Sequence, residues 1–177
     1  MSTKVITGVV RGSYLNLFGP RAQSEGAEPK YSMTMLIPKK DTVTKEKIDK
    51  AIEAATAAKW PNKRPAKVVN TLHDGDGARP SGEPFGPECK EHWVMTVTSK
   101  KKPGIVDGMK QEIINRDAFV SGDHFRVSIN AYGYDNSGNK GVSFALNNVQ
   151  FVSKGEPLGS HTRAEDDFDE IEGDVVF

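Results

Sequence analysis

Residues 124 to 151 alternate apolar and polar side chains on both sides of a turn, a pattern that a β-hairpin accommodates and a helix does not. In HFRVSINAYGY, Phe125, Val127, Ile129 and Ala131 fall on one face of an extended strand, and Arg126, Ser128, Asn130, Tyr132 and Tyr134 on the other. DNSGN supplies the turn. GVSFALNNVQF then returns with Val142, Phe144 and Leu146 in alternation. Any fold for this chain must bury one face of that hairpin.

The rest of the chain is read around it. VITGVVRGSYLNLF (5–18) mixes β-branched and aromatic residues with two glycines, which predicts one long, bent strand. YSMTMLI (31–37) alternates and stops at Pro38. HWVMTVTS (92–99) is a further strand, followed after Lys100-Lys101-Lys102-Pro103 by the short run GIVDG. Between them the period changes: Ile48, Ala51, Ile52, Ala55 and Ala58 share a helical face over residues 42–59. Thr42 or Thr44 is the expected N-cap, and Trp60-Pro61 the stop. Residues 62–91 are rich in Gly, Pro and charge, with Val68-Val69 as the one short strand candidate. A loop of that length is expected to touch a ligand.

Five or six strands, one helix, no repeat and no βαβ alternation predict a mainly β protein. A small β-barrel with one inserted α-helix fits best, the pattern of an oligonucleotide-binding (OB) fold, although the strand count alone leaves a sandwich open. At 177 residues, 36% hydrophobic and 27% charged, the chain suits one domain. It lacks the run of about 18 apolar residues that a membrane helix needs. Cys89 is the single cysteine, so no internal disulfide forms. MSTKVITGVV holds no apolar stretch long enough for a secretory signal, so a reducing, cytoplasmic-type compartment is expected.

The zero net charge is segregated. Residues 164–177 hold seven acids and no base, so they carry −7. Residues 1–163 hold all 24 bases against 17 acids and carry +7. A basic body suits a polyanion, and an acidic tail suits either a separate partner or the same surface in competition.

Binding of an unpaired strand needs cations along the phosphates and aromatic faces for the bases. Aromatics stand near basic residues at Tyr14 and Phe18 (Arg11, Arg21), Tyr31 (Lys30), Trp60 (Lys59, Lys63, Arg64, Lys67), and Tyr132 and Tyr134 (Arg126, Lys140). Tyr31 and Trp93 lie on apolar strand faces and read mainly as core, whereas alternation turns Tyr132 and Tyr134 away from it. Lys100, Lys101 and Lys102 at a strand end suit a phosphate backbone. The expected backbone contacts are therefore Lys63, Arg64, Lys67, Lys100, Lys101, Lys102, Arg126 and Lys140, and the expected stacking residues Tyr132, Tyr134 and Trp60.

His73-Asp74-Gly75-Asp76-Gly77 could supply oxygen ligands, and a metal-dependent nuclease or resolvase using Asp74, Asp76 and Asp107 is the rival reading. The register of a calcium-binding loop is absent, the four histidines lack cysteines at zinc spacing, and there is no phosphate-binding loop or nucleophile elbow. No catalysis, metal or cofactor is expected.

PKYSMTMLIPK (29–39), LHDGDGARP (72–80), SKKKPGIVDG (99–108), FVSGDHFRVSINAYGYDNSGNKGVSFALNNVQ (119–150) and GEPLGSHTRAEDDF (155–168) resemble a family of bacteriophage single-stranded DNA-binding proteins. The resemblance spans nearly the whole chain. It implies an OB-fold that binds single strands without sequence preference in phage DNA replication or recombination, and it assigns no individual DNA contacts. DDFDEIEGDVVF also resembles the acidic, aromatic-terminated tails of bacterial and phage single-strand binding proteins, with Val175 and Val176 where a Pro often stands. Those tails recruit replication and repair partners.

The expectation is thus an OB domain over residues 1–155 and a disordered acidic tail over 156–177. Asp166, Asp167, Phe168, Asp169, Glu170, Asp174 and Phe177 would meet a replication or recombination protein, and the tail could also occupy the DNA groove in cis. A strand-annealing recombination mediator is a further alternative. Monomer and dimer are not distinguished.

Overall fold

The hairpin organises the fold. In the computed structural model, which describes residues 3–22, 25–79 and 81–158, β8 (His124–Asn136) and β9 (Asn139–Ser153) pair antiparallel from His124↔Ser153 to Asn136↔Asn139. Phe125, Val127, Ile129, Ala131, Val142, Phe144 and Leu146 are all buried, as the alternation requires. Ser137 and Gly138, both at positive φ, make the two-residue turn.

The other elements are β1 (Lys4–Ile6), β2 (Val10–Arg21), β3 (Lys30–Pro38), α1 (Thr42–Lys59), β4 (Val69–Asn70), β5 (Leu72–Asp74), β6 (His92–Ser99) and β7 (Gly104–Val106). The predicted strand over 5–18 is thus two, parted by a turn at residues 7–9. β2 pairs with β3, β3 with β6, β6 with β9, β9 with β8, and β8 again with β2. The pairing returns to its starting strand, so the five form a ring, the architecture of an OB-fold. Its closing contacts are short: Thr98↔Ala145 between parallel β6 and β9, and Val10↔Phe125 with Arg11↔His124 between β2 and β8.

Inside the ring, Met33, Met35, Ile37, Met95, Val97, Phe125, Ile129 and Phe144 form the core, and α1 adds Ile48, Ala51 and Ala55. Burial of each large side chain contributes about 1.5–3 kcal/mol. A smaller cluster lies on the outer face, where Leu36 and Val94 are covered by Cys89, Phe85 and Leu158. Burial there pushes the Cys89 thiol above its ordinary range, so it stays a neutral packing group.

Three local expectations are corrected. The helix cap is Asp41, not Thr42 or Thr44: its carboxylate accepts the Thr44 N–H at 3.0 Å and the Thr44 hydroxyl at 2.5 Å. Thr44 Oγ in turn accepts the Gly8 N–H at 2.9 Å, tying the helix start to the β1–β2 turn. The stretch 62–91 is not simply loop. Its short strand is Val69–Asn70 rather than Val68-Val69, followed by β5 and a 3₁₀ turn at Pro87–Cys89. β4 pairs with the start of β9 and β5 with the start of β6, so this segment fills the gap where those two strands splay apart.

Replacing Asp41 by Ala removes one cap and one interelement tie together. The expected cost is about 1–2 kcal/mol, read as a lower urea midpoint at unchanged slope. A midpoint equal to wild type would show that the tie contributes nothing.

Candidate nucleic-acid interface

The predicted residues fall in three places. Lys100, Lys101 and Lys102 are exposed at the end of β6. Lys100 Nζ lies 3.5 Å from Glu28 in the β2–β3 loop, and Lys102 Nζ stands 5.5 Å from the centre of the Phe18 ring, a cation on an aromatic face. Because β6 and β9 run parallel, the β8–β9 turn lies toward the start of β6, away from these lysines. Lys67, Tyr134 and Lys140 line one shallow cavity of about 490 Å³ beside that turn. Gly141 makes room for the tyrosine: a Cβ there would stand 2.5 Å from the Tyr134 hydroxyl and 2.6 Å from the Val69 carbonyl oxygen.

Tyr132 is 42% exposed, on the same face as Tyr134. Trp60 is half-buried at the end of α1, where its N–H donates to the Thr56 carbonyl. Lys63 and Arg64 follow, both exposed, but Arg64 is not open to a ligand. Its guanidinium forks onto Glu53 of α1, with the Nη1–Oε2 bond at 3.0 Å and Nη2 on Oε1. That bond holds the Glu53 carboxyl below its ordinary pKa and the guanidinium above. Arg126 is exposed on β8 near the β1–β2 turn, where Nε donates to the Thr7 carbonyl at 3.3 Å. The tail residues Asp166, Asp167, Phe168, Asp169, Glu170, Asp174 and Phe177 lie outside the described residues.

The carboxylates of the rival reading are otherwise engaged. Lys39 Nζ donates to Asp74 Oδ1 at 2.6 Å and Asp76 Oδ2 at 2.7 Å, and it sits 4.8 Å from the centre of the Trp93 ring, which Lys45 also approaches at 4.7 Å. The bond to Lys39 is the main reason both carboxyls lie below their ordinary pKa, and the same bonds raise the lysine. Asp107 accepts N–H bonds from Met109 and Gln111 and shapes a turn. Among the described residues no group of three or more His, Cys, Asp or Glu side chains could hold a metal ion. Among them too, no helix is long and apolar enough to cross a membrane.

Beyond the predicted set, a groove of about 880 Å³ runs along β2, with Tyr14, Phe18, Arg21 and Arg116 in its wall. A second groove of about 470 Å³ crosses the outer face of β3 and β6, with His73 of β5 and Arg79 and Phe85 of the loop after it beside the Thr34–Thr96 hydroxyl pair. Ser13, Tyr14 and Glu88 border both. Tyr14 is 65% exposed and has φ +47°, a region that a bulky L-residue occupies at a cost of order 1–3 kcal/mol. The β2–β3 register shifts between Ser13 and Asn16, and Asn16 Nδ2 braces the bulge by donating to the Tyr14 carbonyl and to Ser32 Oγ. Of the two arginines that the sequence sets near Tyr14 and Phe18, Arg21 shares the groove, whereas Arg11 is held by the Gly122 and Glu156 carbonyls and the cation on Phe18 is Lys102. The joining of this groove with the long loop into one surface was not visible in the sequence.

A family model described as Enterobacter phage Enc34, ssDNA-binding protein, matches residues 3–176. Among solved structures, the single-stranded DNA-binding protein from bacteriophage Enc34 in complex with ssDNA is similar at 26% identity and TM-score 0.78, over 89% of this chain and 90% of that one. The single-stranded DNA-binding protein gp2.5 of bacteriophage T7 shares the fold at 17% identity and TM-score 0.63, over 100% of both chains. A putative protein, p50, of Acyrthosiphon pisum secondary endosymbiont phage 1 is 29% identical over 95% of this chain and 94% of its own.

The Lys39 clasp gives a signed pH dependence. Because Asp74 and Asp76 titrate below their ordinary values when folded, their contribution to stability is present above about pH 4 and is lost as pH falls through the depressed values. Urea denaturation of wild type against an Asp74→Asn, Asp76→Asn double variant should therefore show a stability gap at neutral pH that closes on acidification toward about pH 2. A gap independent of pH would remove the ion pairs as its cause.

Proposed function

This chain belongs to the family of the Enterobacter phage Enc34 ssDNA-binding protein, and on that premise we propose that it binds single-stranded DNA, without sequence preference and without catalysis, in phage DNA replication, recombination or repair. The observation that carries the reading is the family match over residues 3–176, joined to an OB ring whose surface carries cations beside aromatic rings. Work on phage DNA places the protein in the host bacterial cytoplasm, where one buried, unpaired Cys89 is at home.

Two basic ends serve the backbone. Lys100, Lys101 and Lys102 take phosphates beside the β2–β3 loop, and Lys67 and Lys140 take them beside the β8–β9 turn, where Tyr132 and Tyr134 offer base-stacking faces. Lys63 and Trp60 extend that end. Arg64 joins only by leaving Glu53, and Arg126 serves a strand that reaches the β1 side. The domain comprises residues 1–155, and residues 156–177 form the acidic tail that recruits replication or recombination proteins and competes with DNA. Where the tail begins favours competition: Arg11 Nη2 donates to the Glu156 carbonyl at 2.5 Å and the Leu158 N–H to the Ser121 carbonyl at 2.8 Å, so the chain reaches Leu158 in the wall of the larger groove.

The test is fluorescence anisotropy of labelled oligo-dT against an equal-length duplex, for the full chain and a chain ending at Arg163, across salt concentrations. Salt-sensitive binding that favours the single strand, tightened by removal of the tail, is the expected result. Failure to bind oligo-dT in either form would sink the proposal. In the same assay, replacing Lys100, Lys101 and Lys102 by Ala should shrink the salt slope by up to about 2 units, at roughly 0.7 per phosphate contact. An unchanged slope would exclude that loop from the path.

A further inference from the structure

We infer that the two grooves meeting at Tyr14 form one continuous channel for the bases of the single strand, with Tyr14 as the stacking platform at its junction. The inference rests on the proposed single-strand binding and specifies where on the body the bases lie.

Four observations carry it. The grooves share Ser13, Tyr14 and Glu88, so a chain leaving one passes over Tyr14 into the other. Each arm holds an aromatic ring faced by a cation: Phe18 under Lys102 in the larger, and Phe85 under Arg79, 5.0 Å from the ring centre, in the smaller. The larger arm also holds Arg21 and Arg116, which gives it the charge a phosphodiester needs. Finally, Tyr14 is exposed while its backbone is in the left-handed region. An exposed tyrosine alone signifies nothing, but a bulky residue kept where glycine would be unstrained points to a use for its side chain.

The chemistry sorts the strand. Glu88 at the junction repels phosphate, so the bases pass over Tyr14 and Glu88 while the backbone follows Lys102, Arg21 and Arg116 along the outer wall. A π-face serves every base alike, which matches binding without sequence preference. The Thr34 and Thr96 hydroxyls, 3.0 Å apart on the floor of the smaller arm, can each turn as donor or acceptor and exclude no base edge.

The experiment compares the full chain with Tyr14→Phe, Tyr14→Ala and Tyr14→Gly, and with Tyr132→Ala, by oligo-dT anisotropy and thermal melting. Tyr14→Ala and Tyr14→Gly should each weaken binding by roughly 5- to 150-fold, the loss of one stacked base. Tyr14→Phe should keep wild-type affinity, and the salt slope should stay the same in all three. Stability should move in a different order: Tyr14→Gly should melt about 2–4 °C above Tyr14→Ala, because glycine alone relieves the strain. A 5-bromo-dU oligonucleotide photo-crosslinked to the wild-type chain should map to Tyr14. Binding by Tyr14→Ala and Tyr14→Gly within twofold of wild type, or crosslinks only at Tyr132 and Tyr134, would overturn the channel while leaving single-strand binding intact. A wild-type chain that leaves oligo-dT unbound would overturn both.

Discussion

The structure depends on one demand placed on β2: it must pair with β8 at its beginning and β3 along its length, and so belong to both sides of a closed ring. A flat strand cannot do this, because closure requires the sheet to coil on itself. β2 meets the demand at two points. Gly12 is buried against the Phe125 ring, where a Cβ would stand 2.7 Å from the ring edge, and the bulge beyond it bends the strand. Tyr14 sits in that bulge. The curvature that closes the ring is therefore the same curvature that sets an aromatic side chain outward between two grooves, and architecture and surface cannot be altered independently there.

The outer surface is built by a different logic. Leu36 and Val94 would be exposed on a bare OB ring, and the chain covers them with Phe85 and Cys89 of residues 75–91 and with Leu158 rather than replacing them by polar side chains. The covering loop is held at its margin by polar contacts: Lys39 bridges Asp74 and Asp76, Asp76 accepts the Glu91 N–H, and the Gly75 N–H donates to the His92 carbonyl. Gly75 allows this because any Cβ would meet the Cys89 carbonyl oxygen at 2.1 Å. The Asp-Gly-Asp-Gly run, whose carboxylates could have supplied oxygen ligands, is thus a latch closed by a lysine. A cation site needs carboxylates with unfilled demand, and here an ammonium fills it.

How much of this was legible follows from which forces leave a trace in sequence. The β8–β9 hairpin and α1 were readable because burial on one face imposes a period, and Tyr132 could be placed outward by parity within a regular strand. β4 and β5 left no such trace: Val69 and Asn70 are exposed, and these strands are specified by backbone bonds to β9 and β6, which no side-chain pattern records. The cap at Asp41 was missed because two threonines follow it, and geometry alone shows that Thr44 is its partner. Tyr14 illustrates the sharpest limit. Counted from buried Val10 it falls on the inner face, and counted from buried Leu17 on the outer, because the bulge between them shifts the register.

The same contrast bears on the candidate contacts. Lysine and arginine were read from sequence as equivalent cations, but the fold separates them by what they already hold. Arg64 is matched to Glu53 in a two-pronged bond and Arg11 to the carbonyls of Gly122 and Glu156, both as parts of the scaffold. Lys102 rests on an aromatic face, a contact that leaves its ammonium protons free to turn toward an anion. A planar guanidinium that has satisfied its fork gives up bonds to meet a phosphate, whereas an ammonium on a flexible stem gives up little. Lys102, at the end of β6, is in that condition, whereas Lys100 beside it already faces Glu28 and Lys39 is held by Asp74 and Asp76.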